Sequence, residues 1–568
     1  MKPFAPKFDA LLTVLIWGAL VAAAILWRPL LPIDETRYIT VAWEMWQSGN
    51  FWVPTLNGEL YSHKPPFYFW LMNIGWAVFG VSETWARLVA PLFGLATLAL
   101  TAKLAHALWP ETSETLRAKR AAMAPLMLLS GLYWTIFSTM TMFDLIVTFA
   151  ALVAILGTVK AWTGFATGNG FWAGVLLAGV GIGIGGLAKG PAILVHTLPL
   201  ALAAPLWGPV FIERQTHALM KPSWGKWYGG VLASVLLGVA ITLAWAIPAA
   251  WIGGEEYRNA IFIKQSADRM VKSFAHRRPF YWFALVVPLM VLPWTVWPRL
   301  WQGGRSIEGH QTGLREFWAG RVWTNGGMRI LLIWSGASFL IFSAISGKQP
   351  HYLLPIFPAL ALFAAYLLSP KNAPIQTPSR GHRVPVMALG VLGLILLTGL
   401  VAAEQIVPLL GKPVPDWADA AEPLWLVPII LLAFISAAFK TSGTEAEVRL
   451  ITSLTAALIV MLHLTAAPAF SKAYDLEPAA QRIKVWQDQG RNVAYVGKYH
   501  GEFQFLGRLT QPVVSLETME EGRTWAQANP GGVVVATLSE NEIPSSPLPI
   551  ARQPYRGKVL VMWEASGF

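Results

Sequence analysis

Cysteine is absent from the 568 residues, which excludes a disulfide framework and any thiolate chemistry. Charge is scarce as well. Asp, Glu, Lys and Arg make up 13% of the chain, whereas a soluble globular protein carries about 25%. No internal repeat or low-complexity tract is evident. What fills the chain instead is apolar. It is 55% hydrophobic, with a mean hydropathy of +0.49, and reads as a chain dissolved mainly in lipid. The net charge is +12. In a soluble protein that excess would suggest nucleic acid. Here it fits the Lys and Arg concentrated in the cytoplasmic loops of membrane proteins, so no nucleic-acid partner is expected.

A spanning helix needs about 20 mostly apolar residues. About thirteen candidate runs lie near 9–28, 85–108, 121–138, 142–161, 172–187, 190–208, 228–251, 281–300, 330–346, 351–369, 385–406, 423–439 and 448–467. The first, Ala10 to Trp27, is followed by Arg28-Pro29 and not by a small-residue cleavage site. It reads as a retained helix. The stretches 172–208 and 330–369 are each too long for one span and read as helical hairpins, broken at Ala188-Lys189-Gly190 and at Gly347-Lys348-Gln349-Pro350.

The basic residues orient this plan. With the N-terminus inside, Arg117, Lys119, Arg120, Arg214, Lys221, Lys226, Arg305, Arg315, Arg321, Lys371, Arg380, Arg383 and Lys440 fall on the cytoplasmic side, as the positive-inside rule demands. One outer loop breaks the rule. Residues 252–280 hold Arg258, Lys264, Arg269, Lys272, Arg277 and Arg278, and a basic loop on that side calls for something anionic to bind. From about residue 470 the composition changes. A helix over Leu476–Gln489 and strands at Val493–Val496, Val513–Ser515, Gly532–Ala536 and Val559–Trp563, with Pro, Gly and Asn between them, suggest a small α/β domain. The expected division is a membrane domain over 1–469, with a catalytic first outer loop at 29–84, and a periplasmic α/β domain over 470–568.

Chemistry-capable residues gather at the outer ends of the spans. The first outer loop holds Asp34-Glu35-Thr36-Arg37-Tyr38, a stretch to Gln47 with helical spacing, and His63-Lys64-Pro65-Pro66. The apolar, Trp-rich run Phe67–Phe79 is too short to span and suits a helix in the interface. Asp34 and Glu35 have a bland reading as N-cap or solvated carboxylates. Arg37 and Lys64 in the same loop favour a second one, proton abstraction from a hydroxyl beside a bound phosphate. Asp144 stands at the outer start of a helix, where a carboxylate also suits the dipole, yet an acid at the edge of lipid is a functional candidate by default. Lys189, in Gly185-Gly186-Leu187-Ala188-Lys189-Gly190-Pro191, tips an outer hairpin and looks like a nucleotide loop only superficially, because no Ser or Thr follows. His276-Arg277-Arg278 closes the basic loop, and Lys348-Gln349-Pro350-His351-Tyr352 forms the later hairpin tip. His63, His276 and His351 could together ligand a divalent cation, but no H-x-x-x-H or H-E-x-x-H spacing supports it, so no firm metal site is read.

The side of the membrane narrows the donor. ATP and nucleotide sugars are cytoplasmic, so an enzyme working outside needs an activated group that crosses the bilayer attached to lipid. A phosphate leaving group on a polyprenyl chain fits both the basic loop and its apolar surroundings, and Arg holds such a phosphate through paired hydrogen bonds.

Six pieces in order, "DETRY" at 34–38, "HKPP" at 63–66, "MFD" at 142–144, "GLAKGP" at 186–191, "HRRPFYW" at 276–282 and "GKQPHYLLP" at 347–355, carry a resemblance. Together they resemble the bacterial lipid A 4-amino-4-deoxy-L-arabinose transferase family, within the protein mannosyltransferase-like superfamily. The resemblance runs through residues 1–370 and more loosely to the end. It implies a mainly α polytopic membrane protein of the glycosyltransferase C fold, with about thirteen spans and a small periplasmic α/β domain. It also implies an inner-membrane enzyme, an undecaprenyl-phosphate-linked sugar donor, a lipid A or other envelope-glycan acceptor and one inverting displacement. Asp34 matches the family's first-loop acid and Asp144 its second, with Glu35 beside them as a further catalytic candidate. Arg37, Tyr38, His63, Lys64, Lys189, His276, Arg277, Lys348, His351 and Tyr352 form the expected donor-binding set. His63 is a departure, because the family often has Glu before the first-loop Lys; the sugar therefore stays open. Protein O-mannosylation or assembly of another envelope glycan is the rival enzymatic reading. A lipid or sugar transporter is the rival of another class, and would place charges near the bilayer midplane.

Overall fold

The computed structural model describes the chain except residues 1–5, 111, 217–221, 264–276, 308–309, 312–322, 370–377 and 412–413. His276, and with it the basic-loop residues Lys264, Arg269 and Lys272, lies outside the described residues, as do Lys221, Arg315, Arg321 and Lys371.

A helical bundle carries a small mixed sheet at one end of the chain. Among the described residues nine helices are long and apolar enough to cross a membrane, and one further pair, Ala192–Leu202 and Ala204–Glu213, is bent by 56°. The protein is a multi-pass membrane protein. The count of thirteen is not reached by this measure, and proline and glycine explain most of the difference. The run at 281–300 breaks into Trp282–Met290, Trp294–Val296 and Pro298–Arg305 around Pro288, Pro293 and Pro298. The run at 121–138 breaks at Gly131 into Glu114–Ser130 and Leu132–Phe137. Each proline lacks the N–H that a continuing helix needs.

The helices that place the chemistry are α1 (Pro6–Trp27), α2 (Asp34–Ser48), α3 (Phe67–Phe79), α4 (Glu83–Leu108), α5 (Glu114–Ser130), α6 (Leu132–Phe137), α7 (Asp144–Thr167) and α8 (Phe171–Lys189). Helix α7 is central, with 89% of its most apolar window buried. It pairs with α8 through a short Gly168-Asn169-Gly170 turn, so the start of α7 and the end of α8 lie at the same level. Small residues let the two backbones close. A Cβ on Gly174 would sit 2.2 Å from the Ala161 nitrogen, and one on Gly157 would sit 2.3 Å from the Ala178 nitrogen. Backbone approach of this kind is how helices associate where lipid supplies no hydrophobic drive. Gly174→Val should therefore force α7 from α8 and cost about 3 kcal/mol, within the usual range for overpacking; a lowered midpoint of thermal unfolding in detergent would show it.

The connection between α1 and α4 folds into defined elements. Helix α2 is amphipathic, and a left-handed Gly49 closes it. Asn57 and Gly58, both at positive φ, turn a two-residue hairpin between Thr55–Leu56 and Glu59–Leu60, as Asn-Gly favours. Glu44 of α2 holds this hairpin, accepting from Thr55 Oγ1 at 2.7 Å and from the Gly58 N–H at 3.1 Å.

The C-terminal sheet has five strands in the order Val514–Leu516, Val493–Val496, Val533–Leu538, Lys558–Glu564, Ala551–Tyr555. The first three run parallel and the last two are antiparallel. Helices Glu477–Asp488 and Met519–Ala528 accompany the sheet. The strand Ala551–Tyr555 and the helix Met519–Ala528 gave no usable sequence signal. Pro554 marks the strand as an edge one, and the short helix is polar over most of its surface.

The sheet unit is seated on α2. Thr40 Oγ1 donates to the Gly501 carbonyl at 2.7 Å, and Trp43 Nε1 donates to the Leu509 carbonyl at 3.0 Å. The Asn57 amide donates to the Val513 carbonyl at 2.7 Å and accepts from the Val513 N–H at 2.8 Å. Phe505 stacks on Trp76 of α3 with centroids 5.5 Å apart.

Candidate active site

Helical spacing puts Asp34, Arg37 and Tyr38 on one face of α2, at i, i+3 and i+4. Arg37 Nη2 donates to Asp34 Oδ1, and its guanidinium lies 5.5 Å from the centre of the Tyr38 ring. Asp34 keeps 49% of its side chain exposed, whereas Arg37 keeps 19%, so the acid is the accessible member of the pair. Burial, and then the nearby Asp34 carboxylate, hold the Tyr38 phenol well above its usual pKa. It stays protonated and able to donate.

Phe143 joins this face to the rest of the cluster. Its ring meets Tyr38 edge-on at 4.9 Å, Tyr68 at 4.9 Å and Phe69 at 5.5 Å. The Lys64 ammonium sits 5.7 Å from the same ring. The next residue, Asp144, opens α7. Lys189, the last residue of α8, donates from Nζ to Asp144 Oδ1 at 2.7 Å. An acid at a helix N-terminus and a base at a helix C-terminus both suit the peptide dipoles. The tight α7–α8 packing holds the two ends together. The pair is buried, with 4% of Asp144 and 16% of Lys189 exposed.

The far wall is the tip after Gly326–Ala344. Lys189 Nζ lies 5.0 Å over the Tyr352 ring. His351 stacks on Phe137 at 5.7 Å and meets Tyr352 edge-on at 5.0 Å. Lys189, His351 and Lys64 are neighbours of Asp144, while Asp34, Tyr61, Arg37 and Asp144 are neighbours of Tyr38. Two carboxylates thus share one cluster with three permanent cations, Arg37, Lys64 and Lys189. His63 stands at its rim, exposed, 5.3 Å from the Tyr61 ring. Arg277 is exposed and reaches the later hairpin tip by a backbone bridge to Gly347.

Two of the sequence candidates go elsewhere. Glu35 is not a reacting group. It is buried, accepts from Arg28 at 2.5 and 3.1 Å, and takes the Leu31 and Thr141 N–H groups at 2.9 and 2.8 Å. Burial opposes its ionisation, but the Arg28 charge and hydrogen bonds, with Arg87 and the Thr141 N–H, hold its pKa at about 2. Its carboxylate is fully committed to joining α1, α2 and the segment before Asp144. Lys348 is likewise turned inward, donating to the Arg278 carbonyl at 3.1 Å and to the Ile345 carbonyl. It fastens the hairpin tip. Arg28 was legible only as the end of the first apolar run; its pairing with an acid seven residues on needs the tertiary turn to be seen. Among the described residues no three His, Asp or Glu converge as metal ligands.

Glu35→Gln should leave Arg28 buried without its counter-charge and destabilise the protein by about 3 kcal/mol. Because the native pKa is depressed, the stabilisation is present above the ordinary value of 4.5 and is lost as pH falls toward 2. Thermal unfolding should fall across that window in the parent protein and less steeply in Glu35→Gln.

A family model for dolichyl-phosphate-mannose-protein mannosyltransferase matches residues 11–253, which include α2, Lys64, Asp144 and Lys189. The undecaprenyl phosphate-alpha-4-amino-4-deoxy-L-arabinose arabinosyl transferase of Serratia proteamaculans is 29% identical over 381 residues, covering 66% of this chain. The chain is similar to this transferase over that span. It matches 61% of that relative's length. A relative of the same name from Pseudomonas fluorescens is 26% identical over 509 residues, covering 87% of this chain and 82% of its own. The crystal structure of ArnT from Cupriavidus metallidurans in the apo state superposes with a TM-score of 0.72 at 19% identity, covering 98% of this chain and 97% of that one. The same protein bound to undecaprenyl phosphate gives 0.70. The archaeal oligosaccharyltransferase AglB from Archaeoglobus fulgidus, at 12% identity, gives 0.52 over 93% of this chain and 69% of its own. The aminoarabinose transferase fold, a glycosyltransferase C fold, is therefore the fold of this chain.

Proposed function

We propose that the protein transfers a sugar from undecaprenyl phosphate to a cell-envelope acceptor, lipid A or another lipopolysaccharide component. It does so in the bacterial inner membrane, with the cluster and the sheet unit facing the periplasm. The observation that carries this reading is the joining of an accessible acid, Asp34, to a buried Asp144–Lys189 pair and to Lys64 at the ends of apolar helices. The positive-inside rule favours an outer position for those ends, and the similar transferases, one of them solved with undecaprenyl phosphate, point to the donor.

The acceptor hydroxyl oxygen bonds to the anomeric carbon while the bond from that carbon to the phosphate oxygen breaks. Asp34 takes the hydroxyl proton, and undecaprenyl phosphate leaves with the bonding pair. Lys64, Lys189 and Arg37, with Arg277 at the rim, balance the charge that grows on the leaving oxygen. Tyr352, His351 and His63 lie where they can touch the sugar. Asp144 holds Lys189 at the height of the leaving group. A carboxylate alone would repel phosphate, so its place within a cation excess is what suits it to this chemistry.

Mass spectrometry of lipid A and other envelope glycans, with and without the protein, tests the reading. A mass increment of one sugar on a phosphorylated glycolipid supports it. Identical envelopes, together with transport of labelled lipid across liposomes by the purified protein, would replace it with the transporter reading.

A further inference from the structure

The loop Lys498-Tyr499-His500-Gly501-Glu502 of the sheet unit has no part in the chemistry above, yet it lies against the catalytic helix. Thr40 donates to the Gly501 carbonyl at 2.7 Å, and Thr40 is three residues beyond Arg37, about 4.5 Å along the helix axis. The approach is close. Gly501 has φ +76, and a Cβ on it would lie 2.5 Å from Leu56 and 3.0 Å from Thr40. His500, next in the chain, is fixed by its own N–H, which donates to the buried Glu502 carboxylate at 2.7 Å. Its imidazole is half-buried. Burial, and then the charges of Arg37, Lys498 and Arg556, hold its pKa down, while Asp34 opposes them. Arg37, Lys498, Arg556 and Asp34 are thus charged neighbours of His500, with the buried Glu502 carboxylate on its N–H, and Asp34 and Arg37 belong to the catalytic face of α2. Lys498 and Arg556 are exposed. Arg556 sits in the turn between the last two strands, which is held to the bundle by its N–H donating to the Ala473 carbonyl at 2.9 Å.

We propose that Lys498, His500 and Arg556 form an anion subsite on the acceptor side of Asp34, which receives a phosphate group of the acceptor glycolipid. The subsite rests on the transferase reading for its purpose. Its position follows from the clamp on α2. The donor phosphate meets Lys64 and Lys189 at the ends of the bundle helices. An anion held by Lys498, His500 and Arg556 would sit on the sheet unit, on a different element from Lys64 and Lys189, with Thr40 of α2 against the intervening Gly501.

Equilibrium binding to the full chain in nanodiscs tests it, with three probes: lipid A, dephosphorylated lipid A and undecaprenyl phosphate. The parent protein should prefer phosphorylated lipid A. Lys498→Ala with His500→Ala should weaken that binding about tenfold, and leave dephosphorylated lipid A and undecaprenyl phosphate unchanged. Arg556→Gln alone should give a smaller loss of the same kind, and His500→Gln should recover part of the His500→Ala loss. Equal weakening of both lipid A forms, or weakened undecaprenyl phosphate binding instead, would overturn the subsite. So would unchanged binding of lipid A. If the binding pattern holds while no sugar is transferred to any acceptor, the subsite stands and the transferase reading fails.

Discussion

Asp34→Asn protein should fold, insert and bind undecaprenyl phosphate normally, yet transfer sugar about a thousandfold more slowly, within the span expected for loss of a general base. The reasoning is geometric. Asp34 is the half-exposed acid of the cluster and pairs with Arg37, one turn away. Amide replacement keeps its size and keeps an acceptor oxygen for Arg37. What it removes is the ability to take a proton. Single-turnover transfer with labelled donor measures the effect. An Asp34→Asn protein with near-parental rate would move the base elsewhere, and Asp144 would be the next acid to replace.

Lys189→Met should lower the transfer rate constant about a hundredfold, comparable to removal of one charge-stabilising donor from an active site. Lys189 ends α8 beside the Tyr352 ring and its charge has one carboxylate partner, Asp144, at 2.7 Å. Asp144→Asn should have a distinct signature. It leaves the lysine in place but without its counter-charge in a buried setting, so stability falls along with rate. The double variant Lys189→Met/Asp144→Asn should regain much of the lost stability, because no buried charge is left alone, and should stay inactive. Thermal unfolding and single-turnover rates on the same four proteins separate the two roles. Recovery of rate in the double variant would show that the pair is structural.

The ingredients of the site were legible because they are chemically odd for their surroundings. Asp144 and Lys189 are charges at the ends of apolar runs, and Asp34, Arg37 and Tyr38 share a helix face by spacing alone. Their convergence is carried by Phe143 and the glycine-lined α7–α8 contact, which no local pattern announces. Glu35 misled for the same reason that Asp34 did not. Both are acids in one turn, and only the fold shows that Arg28 and two backbone N–H groups have taken all of Glu35. Lys348 looked like a hairpin-tip cation, but carbonyls of its own turn and of Arg278 claim it. Helical runs were visible by hydropathy. Where prolines 288, 293 and 298 interrupt one, composition alone could not say how many pieces would result.

The hydrogen bonds from Thr40, Trp43 and Asn57 tie an early segment to residues 501–513. During synthesis, α2 emerges more than 400 residues before its clamp. Until then Thr40, Trp43 and Asn57 lack these partners, and α2 is held by Glu35 to Arg28 and Thr141 and by Tyr38 to Phe143. The contact between α2 and the sheet unit is thus among the last to form.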